Sequence, residues 1–184
     1  MKIVVFDTET TGLFDQGLDP LHWDQPWVIQ LGVVVLQNWE ITETLNTVVL
    51  PPDGVLFNPD AVRLHGISPD VCLELGKPIH DVFNTFQHMC EDAEILATYN
   101  FQFDSRIMQT CNERLGREAP LWTPEVYEHC VMIQSQEYLM DRLKLGQVYR
   151  RLFGKPLQDA HDAFADAIAA MEIFRLMTAE LTGD

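Results

Sequence analysis

The chain has 184 residues, 47% of them hydrophobic, and sets 28 acidic side chains against 12 basic ones for a formal net charge of -16. That length suits one domain, spanning 1–184, with a substantial core. The charge argues against a protein that grips long nucleic acid through many phosphates, and no apolar run is long enough for a signal-peptide core or a membrane span.

Cys72, Cys90, Cys111 and Cys130 are widely spaced and form no CxxC pair, which points to reduced thiols in a cytoplasmic setting. The first element is an apolar strand, Ile3–Asp7, running into "TETTGL". Residues i and i+2 of a strand share a face, so Asp7 and Glu9 stand side by side, a costly pairing without a counter-charge, a shared proton or a cation. The segment "FDQGLDPLHWDQPW" (14–27) reads as a loop. Its Trp23 and Trp27 have rings able to stack on bases, but packing against the domain's own edge is preferred. Strands follow at Val28–Leu36 and Thr44–Leu50. In "NPDAVRLHGIS", Asp60 and His65 flank a short helical turn, with Asp60 as a capping acid.

A helix is expected over Ile79–Cys90, then a buried strand over Ile95–Tyr99. Asn100 can cap the next helix, Phe103–Leu115, whose first turn holds Asp104. Helical spacing returns over Leu143–Phe153 and Ala163–Leu181. Strands first and helices interleaved later predict an α/β domain: a mixed central β-sheet flanked by α-helices.

Asp104 alone would read as an acid complementing the helix dipole. His161 and Asp166, in "HDAFADA", would read as a cap or surface pair, because five residues on a helix turn about 500° and leave the two on different faces. They converge only if His161 lies in the loop before the helix. Together, Asp7, Glu9, Asp104 and Asp166 come from a strand end and two helix starts, the natural rims of one cleft. Four carboxylates without cysteine select hard cations, Mg²⁺ or Mn²⁺, and two such ions suit phosphodiester hydrolysis with a loop histidine as base.

These residues carry a family resemblance. "FDTETTGL", "YNFQFD" and "HDAFAD", in that order and around matching elements, resemble the three motifs of a DEDDh-type 3′–5′ exonuclease of the DnaQ-like superfamily, with an RNase H-like fold. "VIQLGVVV", "HGIS", "LKLGQVYRRLFG" and "CVMIQ" add support. The resemblance implies metal ligation by Asp7, Glu9, Asp104 and Asp166, with His161 as general base. It implies substrate contacts from the Thr10 backbone, from Leu13 as a wedge against the terminal base, and from Asp60, His65 and Asn100. Many members have His-Asn-Ala where this chain has Tyr99-Asn100-Phe101, which bears on base or sugar preference and not on the metal site.

The implied substrate is the 3′ end of single-stranded DNA or a short oligonucleotide, hydrolysed to nucleoside 5′-monophosphates. The alternatives are an RNA-trimming exoribonuclease resembling RNase T or oligoribonuclease, and a polymerase-docked proofreading subunit. The last ranks lower because the chain ends at "LTGD", within three residues of its final helical pattern. Arg142, Lys144, Arg150, Arg151 and Lys155 cluster in a stretch free of acids and are a candidate grip on the strand, against the plainer reading of a solvated face. Neutralising Arg150 and Arg151 together is expected to raise KM for oligonucleotides and flatten its salt dependence, which a salt titration of the double variant checks.

Overall fold

The computed structural model describes residues 1–182, so Gly183 and Asp184 of the terminal "LTGD" lie outside the described residues. Three strands come first, β1 (Lys2–Thr10), β2 (Val28–Gln37) and β3 (Glu40–Leu50), each antiparallel to the next. Two short helices, α1 (Pro59–His65) and α2 (Pro69–Leu75), lead into the brief strand β4 (Lys77–Pro78). Next come α3 (Ile79–Met89), β5 (Ile95–Thr98), α4 (Phe101–Arg114) and β6 (Tyr127–Cys130). The helices α5 (Val131–Leu139), α6 (Leu145–Phe153) and α7 (Ala163–Thr182) complete the chain. The sheet order is β4-β3-β2-β1-β5-β6, with β4, β5 and β6 added in parallel. This is the mixed, helix-flanked sheet that the alternation of elements predicts.

The uniform apolar character of β1 follows from burial on both faces, which removes any alternation. Val4 and Phe6 join Val33 and Val35 of β2 in a core with Phe83 and Phe86 of α3 and Ile107 and Met108 of α4. On the other face, Ile3 and Val5 join Val34 and Leu36 against Ala167, Ala170 and Phe174 of α7. The small residues of α7 bring it close to the sheet. Closest of all is Gly32, across from Asp7 in the register: a Cβ there would lie 2.3 Å from the Ala163 carbonyl oxygen.

Several expected boundaries are corrected. β1 runs past Asp7 to Thr10 because it keeps pairing with β2 through Thr8–Leu31 and Glu9–Gln30. β3 begins at Glu40, not Thr44; its first turn-proximal residues are exposed and polar, and so carry no hydrophobic signal. β5 stops at Thr98 and α4 starts at Phe101. The elements β4, β6 and α5 lack a strong sequence signal of their own, whereas α2 carries one in Ser68, Pro69 and Asp70 at its start and Gly76 at its end.

The 14–27 segment is a loop, as expected, and Arg114 holds it. Its guanidinium lies 4.0 Å above the Trp27 ring and donates to the carbonyls of His22, Trp23 and Gln25. Trp27 is fully buried, which settles it as a packing residue, while Trp23 is 44% exposed and sits edge-on to Trp27 at 5.0 Å. The four cysteines are unpaired thiols, and among the described residues no helix is long and apolar enough to cross a membrane.

The contact at Gly32 generates a stability prediction. Gly32→Ala forces its methyl group into the backbone of α7, and overpacking of this kind costs about 1–3 kcal/mol. Thermal denaturation followed by circular dichroism is expected to show Tm lowered by several degrees.

Candidate active site

Asp7 and Glu9 project from β1 toward α7, opposite Gly32 and Gln30 of β2. Glu9 is only 9% exposed, Asp166 8% and Asp104 3%, while Asp7 is half-buried. The start of α7 is built against this strand end. Asp162 caps the helix, its Oδ1 accepting from the backbone N–H groups of Phe164 (3.1 Å) and Ala165 (3.0 Å). Gln30 clasps the same turn: its Nε2 donates to Asp162 Oδ2 at 2.6 Å and its Oε1 accepts from the Ala163 N–H at 3.1 Å. His161 precedes the helix in a left-handed conformation, φ 70°, and its backbone N–H donates to Asp166 Oδ2 at 3.2 Å. That turn brings together two residues which a continuous helix would separate.

Asp104 enters from the first turn of α4. Its Oδ1 accepts from the backbone N–H of Thr8 at 3.2 Å and from the Thr8 hydroxyl at 2.7 Å. Asn100 stands at the cap position of α4 but makes no side-chain cap bond, contrary to expectation; its carbonyl instead accepts from the N–H groups of Phe103 and Asp104.

Glu9, His161 and Asp166 each offer a ligand atom, and these atoms lie within 4.8 Å of one another. Asp7 and Asp104 border that group without joining it. Among the described residues Asp166 Oδ1 is buried with no hydrogen-bond partner. A buried carboxylate oxygen left orphaned beside further carboxylates is a donor set that fits a hard cation.

The electrostatics agree with that fit. Burial, then the charges of Asp104, Asp166, Glu9 and Asp162, hold the Asp7 carboxyl well above its ordinary range. Glu9 is pushed up to about 8, first by burial and then by Asp166, Asp104 and Asp162. Burial lifts Asp104 to about 7 against the pull of the Thr8 hydrogen bonds, and Asp166 to about 6 against the His161 N–H.

On the substrate side, Leu13 is 80% exposed and borders a cavity of about 350 Å³, with Glu9, Thr10, Asp60, His65 and Phe103 also in its wall. The turn carrying Leu13 is pinned: the Thr10 hydroxyl donates to the Gly12 carbonyl at 2.7 Å, and the Thr11 hydroxyl accepts from the Trp27 N–H at 3.0 Å. His65 Nδ1 accepts from the Ile67 N–H at 3.0 Å, which leaves the hydrogen on Nε2 to donate to the Thr10 carbonyl at 3.2 Å. Burial lowers its pKa and favours this neutral form. Both ring nitrogens are thus engaged, and His65 braces the Thr10 backbone here. Asp60 and His65 lie within α1 and do not flank it. Asp60 is not the cap: Asn58 is, accepting from the Asp60 N–H at 2.8 Å, and Asp60 pairs with Arg63 on the surface.

The five basic residues are exposed: Arg150 and Arg151 lie on α6, whose Val148 and Tyr149 are buried, while Arg142 and Lys144 precede the helix and Lys155 follows it. Arg151 is 3.5 Å from Asp141. Sequence reasoning missed Gln30, Gly32 and Asp162. A Gln and a Gly interrupting the apolar run "VIQLGVVV", and an Asp just before an Ala-rich helix, were the available signals.

The raised carboxyl pKa values generate a pH prediction. These groups hold protons more tightly folded than unfolded, so the stability that they contribute to the cation-free protein is fully present near pH 4 and is lost as pH rises through 6 to 8. In EDTA at pH 8, Glu9→Gln is expected to raise Tm by roughly 5 °C, with the gain shrinking toward pH 5. Differential scanning fluorimetry across that range checks both signs.

Residues 4–174 match a family model, RNase T, described as exonuclease. Among curated relatives, a PolC-type DNA polymerase III from Lactococcus lactis is 29% identical over 178 residues, 97% of this chain and 10% of that protein. A DNA polymerase III subunit epsilon-like protein from Rhodobacter capsulatus is 27% identical over 184 residues, 97% of this chain and 24% of that protein. The chain therefore spans a quarter or less of these relatives. In structure it is similar to E. coli Exonuclease I in complex with a dT13 oligonucleotide, with TM-score 0.79 and 16% identity over 98% of this chain and 42% of that one. Exonuclease I from Methylocaldum szegediense gives TM-score 0.74 and 21% identity over 97% and 40%. The likeness establishes the fold as RNase H-like, and the match of the family model across nearly all of the sequence establishes that the chain belongs to the RNase T exonuclease family.

Proposed function

We propose that this chain is a 3′–5′ exonuclease acting on single-stranded DNA or short oligonucleotides and releasing nucleoside 5′-monophosphates. The observation that carries the reading is the convergence of Glu9, His161 and Asp166, whose ligand atoms lie within 4.8 Å of one another, with Glu9 also in the wall of a cavity large enough for one nucleotide. Asp7, Glu9, Asp104 and Asp166 would hold two divalent cations, Mg²⁺ or Mn²⁺, whose charge would offset the like-charge repulsion described above. Bound there, such ions supply Lewis acidity, lowering the pKa of a water and stabilising the departing 3′ oxygen.

The remaining work falls to the chain's own groups. His161 is exposed, so its ring can take a proton from the attacking water and pass it to solvent. The hydrogen bond from its backbone to Asp166 keeps the ring beside Glu9. Thr8 fixes the Asp104 carboxylate against rotation. The pinned turn presents the Thr10 backbone and Leu13 to the terminal nucleotide, and His65 holds that backbone in place. An end-bound substrate needs few phosphate contacts, which reconciles the reading with a strongly acidic chain.

The polymerase III names of the relatives favour a second setting for the same chemistry, proofreading beside a polymerase. RNA trimming is the alternative at the level of the sugar. The test is a panel of 5′-labelled single- and double-stranded DNA and RNA with Mg²⁺, Mn²⁺ or EDTA. A 3′–5′ ladder abolished by EDTA is expected, and Asp7→Ala is expected to slow it by at least roughly a hundredfold. An Asp7→Ala enzyme as fast as wild type would overturn the site.

A further inference from the structure

The turn that carries His161 is fastened from its α7 side. From Gly154 to His161 every residue but Leu157 is exposed, and Asp159 (φ 52°) and His161 (φ 70°) both adopt the left-handed conformation. Residues other than glycine keep that conformation where their surroundings enforce it. The Asp162 N–H donates to the Asp159 carbonyl at 3.1 Å, and the Asp162 carbonyl accepts from the Asp166 N–H at 2.9 Å. What joins this turn to the sheet is the side chain of Gln30, which is only 5% exposed. Its Nε2 donates to Asp162 Oδ2 at 2.6 Å and to Asn46 Oδ1 of β3 at 3.1 Å, while its Oε1 accepts from the Ala163 N–H at 3.1 Å. Asp162 Oδ2 needs a donor and the Ala163 N–H an acceptor. An amide supplies both from one side chain, whereas a carboxylate supplies acceptors alone and a cation donors alone.

We infer that Gln30 is a positioning residue for the reaction: through Asp162 and Ala163 it fixes where the His161 ring stands relative to Glu9 and Asp166. The inference rests on the exonuclease reading with His161 as base, and adds to it a residue of β2 that holds no part of the substrate. Gln30 does not line the cavity bordered by Glu9, so its loss bears on turnover and spares the binding of the strand end. The His161 ring faces solvent and is not wedged in place, which leaves its position to the backbone that precedes α7. Removing the amide strands the Asp162 carboxylate and the Ala163 N–H together. The left-handed residues then relax, and the ring swings away from Glu9. A base tolerates little of this, since a misplacement of about 1 Å is worth up to roughly a hundredfold in rate.

The test uses the full chain with its divalent cation and a single-stranded oligonucleotide. Gln30→Met keeps the bulk of the side chain and removes both halves of the amide. Its kcat is expected to fall at least roughly tenfold, with KM within about twofold of wild type. The double variant Gln30→Glu/Asp162→Asn exchanges the two groups and conserves charge: the new amide donates to the new carboxylate, which still accepts from the Ala163 N–H. It is expected to recover kcat to within about threefold, which a general loss of packing would not predict. Hydrogen exchange in cation-free protein reads the same clasp without activity. Residues 159–163 are expected to exchange roughly tenfold faster in Gln30→Met and close to the wild-type rate in the double variant. Should Gln30→Met fail to fold, Asp162→Asn alone, which keeps the helix cap and sets donor against donor at the amide, gives the same comparison. Unchanged kcat and exchange in the single variant, or a loss that the double variant leaves in place, would overturn the positioning role. A wild type that cleaves no oligonucleotide would overturn the exonuclease reading and the role with it, and the exchange measurement separates that failure from the absence of a clasp.

Discussion

The first turn of α7 rests directly on β2 at Gly32, and the geometry of the acidic centre depends on that contact. A side chain at Gly32 would occupy the space now filled by the Ala163 carbonyl, pushing the helix start away from the sheet. Gln30, two residues earlier on the same face, fastens the turn by bonding both to the Ala163 N–H and to the capping Asp162. Because Gly32 and Gln30 pair with Asp7 and Glu9, whatever is held at this point of β2 is held beside those two acids. Asp166 and His161 arrive with the helix. One backbone approach, permitted by a missing methyl group, thus assembles residues from opposite ends of the chain.

The assembled centre is electrostatically unfavourable on its own. Burial raises all four carboxyl groups, repulsion from neighbouring carboxylates adds to it at Asp7 and Glu9, and the Thr8 hydrogen bonds offset only part of the rise at Asp104. The surrounding fold tolerates the cost because β1 is clamped by apolar cores on both faces. Polar satisfaction is otherwise well developed nearby: the Thr10–Thr11 turn, His65 and Asp162 all have partners. The orphaned Asp166 oxygen stands out against that background. It marks the place where the protein's own donors stop and a cation is the natural complement.

Legibility differed sharply between kinds of feature. The shared face of Asp7 and Glu9 follows from strand periodicity alone, and the extension of β1 to Thr10 only strengthens it. The placement of His161 before the helix and Asp166 within it was readable as a condition for convergence, but the left-handed backbone at His161 that meets it was not. His65 and Asp60 were recognisable as part of a motif. Their actual engagements, with the Thr10 carbonyl and with Arg63, depend on how α1 docks against the end of β1. Arg114 and Arg106 gave no sign in the sequence of being anything but helix-surface cations, yet each lies over an aromatic ring of the loop that follows β1.

What the sequence by itself determined is therefore local: the kinds and order of the reactive groups, the periodicity of the elements that carry them, and the motifs by which the family is recognised. These are set by spacings of two to five residues, where backbone geometry leaves few choices. The tertiary structure alone decided which groups meet. Thr8 bonds to Asp104 across 96 residues and Gln30 to Asp162 across 132. Such pairings depend on the packing of two cores against one sheet and on a close approach at a single glycine, and no local spacing encodes either.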